Sequence, residues 1–185
     1  MSRLSILAVL LLLLSVPARA DEAASSADPL LQALLQGEAM LASGDYAGLL
    51  GVAEKLRLMG ANPIDGQSDV AIRWIGEARA HGVTRAILSP RGRALGPGYR
   101  RGSLPGGESM TISQVFLGGQ PARVALAPAE RGSGEALSIA VKDGAGKLLC
   151  GGGAICIWEP AYSGRFDIVI ANEGDAASDF FVTIR

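Results

Sequence analysis

Few side chains in this sequence have the type and spacing for chemistry. Cys150 and Cys156 are its two cysteines, with Gly151, Gly152 and Gly153 between them. A C-x5-C spacing fits neither the zinc patterns nor the C-x-x-C redox motif, and the glycines let a short loop turn back, so the pair predicts a disulfide. His81 is the sole histidine. With one imidazole and no free thiol, the Ser-His-Asp and Cys-His schemes have little to draw on. Helical H-E-x-x-H, the phosphate-binding P-loop and a G-x-G-x-x-G followed by an acid are absent. The sequence therefore assigns no catalytic residue, no metal ligand set and no cofactor.

Two polar groupings remain. Asp143, Glu159, Asp167, Glu173, Asp175 and Asp179 fall at turns or outward strand positions, where acids are ordinarily solvated. Within them, Asn172, Glu173, Asp175 and Asp179 offer oxygen atoms to a hard cation, without EF-hand spacing. The second grouping is basic: Arg85, Arg91, Arg93, Arg100 and Arg101 lie within 17 residues with no acid between them. The guanidinium fork suits phosphate and carboxylate. Arg91, Arg93, Arg100 and Arg101 are thus candidate contacts for an anionic partner such as lipid or lipopolysaccharide; pairing with acids of a neighbouring element is the plainer reading. Trp158, just past the cysteine loop, either covers the disulfide or serves as an aromatic contact at one end of a sheet. Trp74 falls on an apolar helical stripe and reads as core.

The elements that must hold these residues are legible from periodicity. Asp28 is a candidate N-cap with Pro29 at the first helical position, and Leu30, Leu31, Leu34, Leu35 and Leu41 form a stripe. Ser43-Gly44-Asp45 breaks it, and Tyr46, Leu49, Leu50, Ala53 and Leu56 continue at helical spacing up to Gly60-Ala61-Asn62-Pro63. A third helix starts at Ser68 or Asp69, carries Val70, Ala71, Trp74, Ile75 and Ala78, and stops at His81-Gly82. The first two make an antiparallel hairpin with a weak likeness to tetratricopeptide pairs. Beyond residue 108 the pattern changes to strands, at 110–117, 122–127, 136–141, 147–150, 154–158, 165–171 and 179–184, separated by Gly and Asp turns. Short strands so spaced indicate an antiparallel sandwich.

The chain starts with Arg3, an apolar run from Leu4 through Leu14, and small residues at Ala18 and Ala20. Together these read as a cleavable secretory signal over residues 1–20. The run of 11 residues falls short of the roughly 20 that span a bilayer. Cleavage removes Arg3 and Arg19, so 17 basic residues become 15 against 18 acidic ones, a net charge of about −3 that predicts no general attraction to nucleic acid.

The runs Gln114-Val115-Phe116-Leu117, Val141-Lys142-Asp143-Gly144-Ala145-Gly146 and Gly164-Arg165-Phe166-Asp167-Ile168-Val169-Ile170-Ala171-Asn172 resemble the bacterial pre-peptidase C-terminal domain. In that family a D-x-x-G turn joins strands and a late strand reads G-x-F-x-I-x-V; here these fall at 143–146 and 164–170. The resemblance implies a jelly-roll-like β-sandwich with an accessory role and no catalytic residues to carry over.

The expectation is an α+β chain: signal peptide at 1–20, disordered start at 21–27, helical region at 28–86, Arg/Gly/Pro-rich linker at 87–108 and β-sandwich at 109–185. The helices would offer an apolar groove and the sandwich its end loops. Functionally this points to an exported, non-catalytic interaction module of the bacterial cell envelope, periplasmic or secreted, with an envelope protein or an anionic surface as partner. A small secreted hydrolase using loop carboxylates is the alternative.

Overall fold

A computed structural model of the chain describes residues 28–87, 96–130 and 136–185. The leader, the start at 21–27, Arg91 and Arg93 lie outside these. Among the described residues no helix is long and apolar enough to cross a membrane.

Three helices lie in the N-terminal part: α1 (Pro29–Ser43), α2 (Tyr46–Leu58) and α3 (Val70–Ala80). Asp28 caps α1 by accepting from the Leu30 and Leu31 amides, at 3.0 Å each. Gly44 ends that helix in the left-handed conformation (φ 72°), which a residue without a Cβ adopts at little cost. Asp45 and Asp69 cap α2 and α3 in turn.

The strands are β1 (Asn62–Pro63), β2 (Gly98–Leu104), β3 (Ser109–Phe116), β4 (Ala122–Pro128), β5 (Leu137–Lys142), β6 (Leu148–Gly153), β7 (Ile155–Trp158), β8 (Gly164–Asn172) and β9 (Ser178–Ile184). They form two sheets, ordered β1-β2-β9-β4-β7 and β3-β8-β5-β6. The pairs β2·β9, β3·β8, β4·β7 and β5·β6 are all antiparallel, as in one long ribbon whose hairpin lies between β5 and β6. Rolling that ribbon brings β9 against β4 and β8 against β5, which gives a jelly roll.

Two cores result. Between the sheets lie Ile112, Phe116, Val124, Leu126, Val141, Phe166, Ile168, Ile170, Phe180 and Val182. On the far side of the first sheet, the helical stripes of Leu30, Leu34, Leu50, Ala53, Trp74 and Ala78 pack onto Tyr99, Ala125, Ala127 and Phe181. β9 feeds both, with Phe180, Val182 and Ile184 pointing into the sandwich and Phe181 toward the helices. Each such fully buried large side chain contributes about 2 kcal/mol. The helices' apolar faces are therefore spent on the sheet, and the architecture is helix layer, sheet, sheet.

Two expectations are corrected here. The stretch 87–108, read from composition as a linker, contains β2, a seven-residue strand of the first sheet. Its glycine has a packing reason: a Cβ on Gly102 would meet the Phe180 ring at 2.5 Å. Likewise, among the described residues the helical stripe is covered by β4 and β9 rather than left as an apolar groove. All seven predicted strands are present, with β6 running three residues beyond its expected end.

Cys150 of β6 and Cys156 of β7 form the disulfide, their Cα atoms 5.9 Å apart. These are edge strands of opposite sheets, joined through Ala154 alone. The bond thus closes one long side of the sandwich, and a loop this short contributes about 2 kcal/mol by chain entropy.

Candidate functional site

The described surface carries an open cleft of about 460 Å³ between the turn preceding α3 and strand β2, lined by Gln67, Ser68, Arg73, Arg101, Ser103 and Asp179 among others. Three elements line it with charges, and Glu38 of α1, outside the lining, links two of them. Arg73 of α3 pairs with Glu38 of α1 at 3.1 Å. Glu38 also meets Arg101 of β2 at 3.4 Å, and the same Arg101 nitrogen lies 3.4 Å from Asp179 of β9. Arg101 also lies over the Phe181 ring, 6.0 Å from its centroid. The result is an alternating row, Arg73–Glu38–Arg101–Asp179, with two charges of each sign.

The backbone beneath is fixed by Gln67. Its Nε2 donates to the Arg101 carbonyl at 2.9 Å, and its Oε1 accepts from the Arg101 amide at 3.0 Å. One side-chain amide thus replaces a strand along this part of β2, while β1 covers Gly98 and Tyr99. Tyr99 anchors the other wall. Its hydroxyl accepts from the Val70 amide at 2.9 Å and donates to the Asp69 carboxylate at 3.1 Å. Burial, the largest cause, pushes the phenol well above its ordinary range, and the nearby Asp69 charge adds to this.

Exposed ion pairs contribute little stability singly, 0–1 kcal/mol or so. The row is better described by what it offers a ligand: guanidinium donors, carboxylate acceptors and the hydroxyls of Ser68 and Ser103. Such a surface orients and selects a polar partner more than it drives affinity.

The remaining sequence candidates scatter. Arg100 and Arg101 are consecutive on a strand and so point to opposite faces. Arg100 pairs with Asp65 at 2.7 Å on the side away from the cleft, and Arg85 pairs with Glu54 at 2.6 Å. Arg100 and Arg101 thus follow the plainer of the two readings, pairing with acids of neighbouring elements in two separate sets. Trp158 turns into the sandwich end, its ring 4.7 Å from Phe116 in a T-shaped contact and 6.1 Å from Phe166. It is partly buried and packs against the sandwich core. His81 stacks on Tyr46 at 3.7 Å.

The loop carboxylates are not brought together. Asp143 accepts from the Ala145 and Lys147 amides within its own turn, Asp167 accepts from Ser113, and Glu173 accepts from Ser138. Asn172 faces inward, donating to the Leu104 and Ala176 carbonyls. Among the described residues, no group of three His, Cys, Asp or Glu is placed to hold a metal ion.

Sequence reasoning missed Glu38, Gln67, Tyr99 and the wider role of Asp28. Asp28 is 1% exposed, and beyond its cap it receives Arg185 at 2.8 Å and the Thr183 hydroxyl at 3.2 Å. The signal for Tyr99 was a strand hidden behind Gly96-Pro97-Gly98, and Glu38 and Gln67 carry no local motif.

No family model and no curated protein sequence matches the chain. Among solved structures it is similar to PliG of Aeromonas hydrophila, a periplasmic inhibitor of g-type lysozyme, with 13% identity, 48% of this chain and 83% of that one covered, and a TM-score of 0.41. The Yersinia pseudotuberculosis-derived mitogen gives the same identity, coverage and TM-score. A de novo designed double-stranded β-helix matches at 15% identity over 47% of this chain and 97% of its own, with a TM-score of 0.30.

Proposed function

We propose that this chain is an exported, non-catalytic binding module of the bacterial cell envelope that holds a polar segment of a partner protein in the cleft beside β2. The observation that carries the reading is the row Arg73–Glu38–Arg101–Asp179, balanced in charge and open to solvent along one side. A peptide carrying both a carboxylate and an amine or amide finds a counterpart for each there. A purely anionic surface would meet Glu38 and Asp179 beside the arginines, so a protein segment is favoured over lipid. The disulfide supports an oxidising compartment, and the leader-like sequence supports export.

The test immobilises the purified protein, an Arg73→Ala/Arg101→Ala variant and a Lys142→Ala control on the other sheet, and challenges each with a detergent extract of the host envelope. The expected result is an envelope protein retained by wild type and control and lost by the cleft variant, whose unfolding temperature stays within a few degrees of wild type. Retention indifferent to the cleft substitutions, or binding to anionic vesicles alone, overturns the reading.

A further inference from the structure

Edge strands are sites of unwanted pairing, and natural sheets blunt them. Among the described residues the two sheets have four edges. β2 is covered by β1 and by the Gln67 amide. β7 is four residues long. β6 has register shifts against β5, three glycines and the disulfide. β3 has none of these devices. Its eight residues, Ser-Met-Thr-Ile-Ser-Gln-Val-Phe, include no charge, proline or glycine, and they pair with β8 without a register shift.

The ladder shows which backbone groups are free. The Asn172 amide donates to the Glu108 carbonyl at 2.9 Å, so position 108 faces β8. By the alternation of an antiparallel pair, Met110, Ile112, Gln114 and Phe116 then bond to β8, and the N–H and C=O groups of Ser109, Thr111, Ser113 and Val115 point away. Two large apolar side chains stand at the same edge, Val115 at 65% exposure and Leu117 at 57%.

We propose that β3 pairs antiparallel with β3 of a second copy of this chain about a twofold axis at Gln114, giving one continuous eight-stranded sheet across the dimer. Charge complementarity selects the second copy and the register. With Gln114 opposite itself, Ser113 faces Val115 of the second copy and Thr111 faces Leu117, so both exposed apolar side chains gain cover. Arg165 lies opposite Val115 and Asp167 opposite Ser113 on β8. Each row across the new seam then reads Asp167, Ser113, second-copy Val115, second-copy Arg165. At about 4.8 Å per strand the second Arg165 lies roughly 10 Å from Ser113, within reach of its long side chain. The Ser113 hydroxyl already donates to Asp167, so it would link guanidinium to carboxylate twice per dimer. Shifting the axis to Ile112 instead sets Arg165 in a row with Ala171 and leaves Leu117 uncovered.

Sedimentation equilibrium on the protein purified from its host tests this. The expected mass is twice the monomer's at micromolar concentration. Val115→Lys is expected to raise the dissociation constant by about tenfold or more, since a lysine on a free edge opposes pairing. Thr111→Lys serves as a second variant of the same kind, and Leu148→Lys on β6 is expected to leave the dimer intact. A monomeric wild type, a dimer indifferent to both β3 lysines, or one that Leu148→Lys dissociates would each overturn the proposal.

Discussion

Replacing Gly37 with alanine should destabilise the protein, whereas the same replacement at Gly76 should stabilise it. Both glycines lie inside helices, where alanine is favoured by about 0.5–1 kcal/mol. They differ in what a Cβ would meet. At Gly76, on the solvent side of α3, nothing lies within 4 Å. At Gly37 of α1 it would fall 2.1 Å from Cη2 of Trp74, whose side chain is 0% exposed. Moving a packed ring by more than an ångström costs about 1–3 kcal/mol, and expelling an indole that buries some 200 Å² costs nearer 5. Less the propensity gain, the net loss is about 0.5–2 kcal/mol if the ring shifts and about 4 if it is expelled. For a chain of this size the shifted ring is a fall in Tm of roughly 1–8 °C, against a rise of about 2 °C for Gly76→Ala. Urea and thermal unfolding read both. In a Trp74→Phe background the Gly37→Ala penalty should shrink, because the smaller ring leaves space for the methyl group. Equal or greater stability of Gly37→Ala would falsify the seating of the indole on the α1 backbone, and with it the packing of the helix layer.

Tyr99→Phe removes a hydroxyl that serves the Val70 amide and Asp69, and should cost about 1–2 kcal/mol at pH 8. The buried phenol holds its proton to higher pH than an unfolded tyrosine, which ionises near 10. Wild type should therefore lose stability relative to the variant above about pH 10, by up to 1.4 kcal/mol or so per unit, in urea melts at pH 8 and pH 11; parallel curves count against the buried placement. Asp28→Ala should cost about 2–4 kcal/mol, since a helix cap is lost together with the partner of Arg185 and Thr183, while Asp28→Asn keeps the cap and should cost less. An Asp28→Asn midpoint indistinguishable from wild type would mean the ion pairs contribute nothing, and equal midpoints for the two variants would mean the same of the cap.

Where local pattern decides structure, the sequence was readable. Asp28-Pro29, Gly44-Asp45 and Asp69 mark helix boundaries because capping is a contact between near neighbours. Alternation in Leu137-Ser138-Ile139-Ala140-Val141 and in Phe166 to Ile170 marks strands because one face is dry and the other wet. The layer order was harder to see, yet a trace of it exists. Phe180-Phe181-Val182-Thr183-Ile184 is nearly apolar on both faces, and Ala125 and Ala127 alternate with Val124 and Leu126 in β4. Strands of that kind are covered on both sides, and the only unassigned apolar surface was the helical stripe. β2 escaped because its burial is set by distant partners and its composition, Gly-Tyr-Arg-Arg-Gly-Ser-Leu, is that of a turn. The cleft escaped for the same reason: Glu38, Gln67, Arg101 and Asp179 meet only when α1, β2 and β9 are assembled.

The middle of the first sheet is its last strand in sequence, and the carboxylate at residue 28 finds Arg185 across a separation of 157 residues. As the polypeptide leaves the ribosome, α1 to α3 emerge long before the surface they rest on exists. Until β9 arrives, neither β2 nor β4 has its inner neighbour. Until then the helices can pack on one another but lack Phe181, the part of their resting surface that β9 supplies. Completion is therefore expected to be abrupt and slow to start, as contacts of such long range dictate.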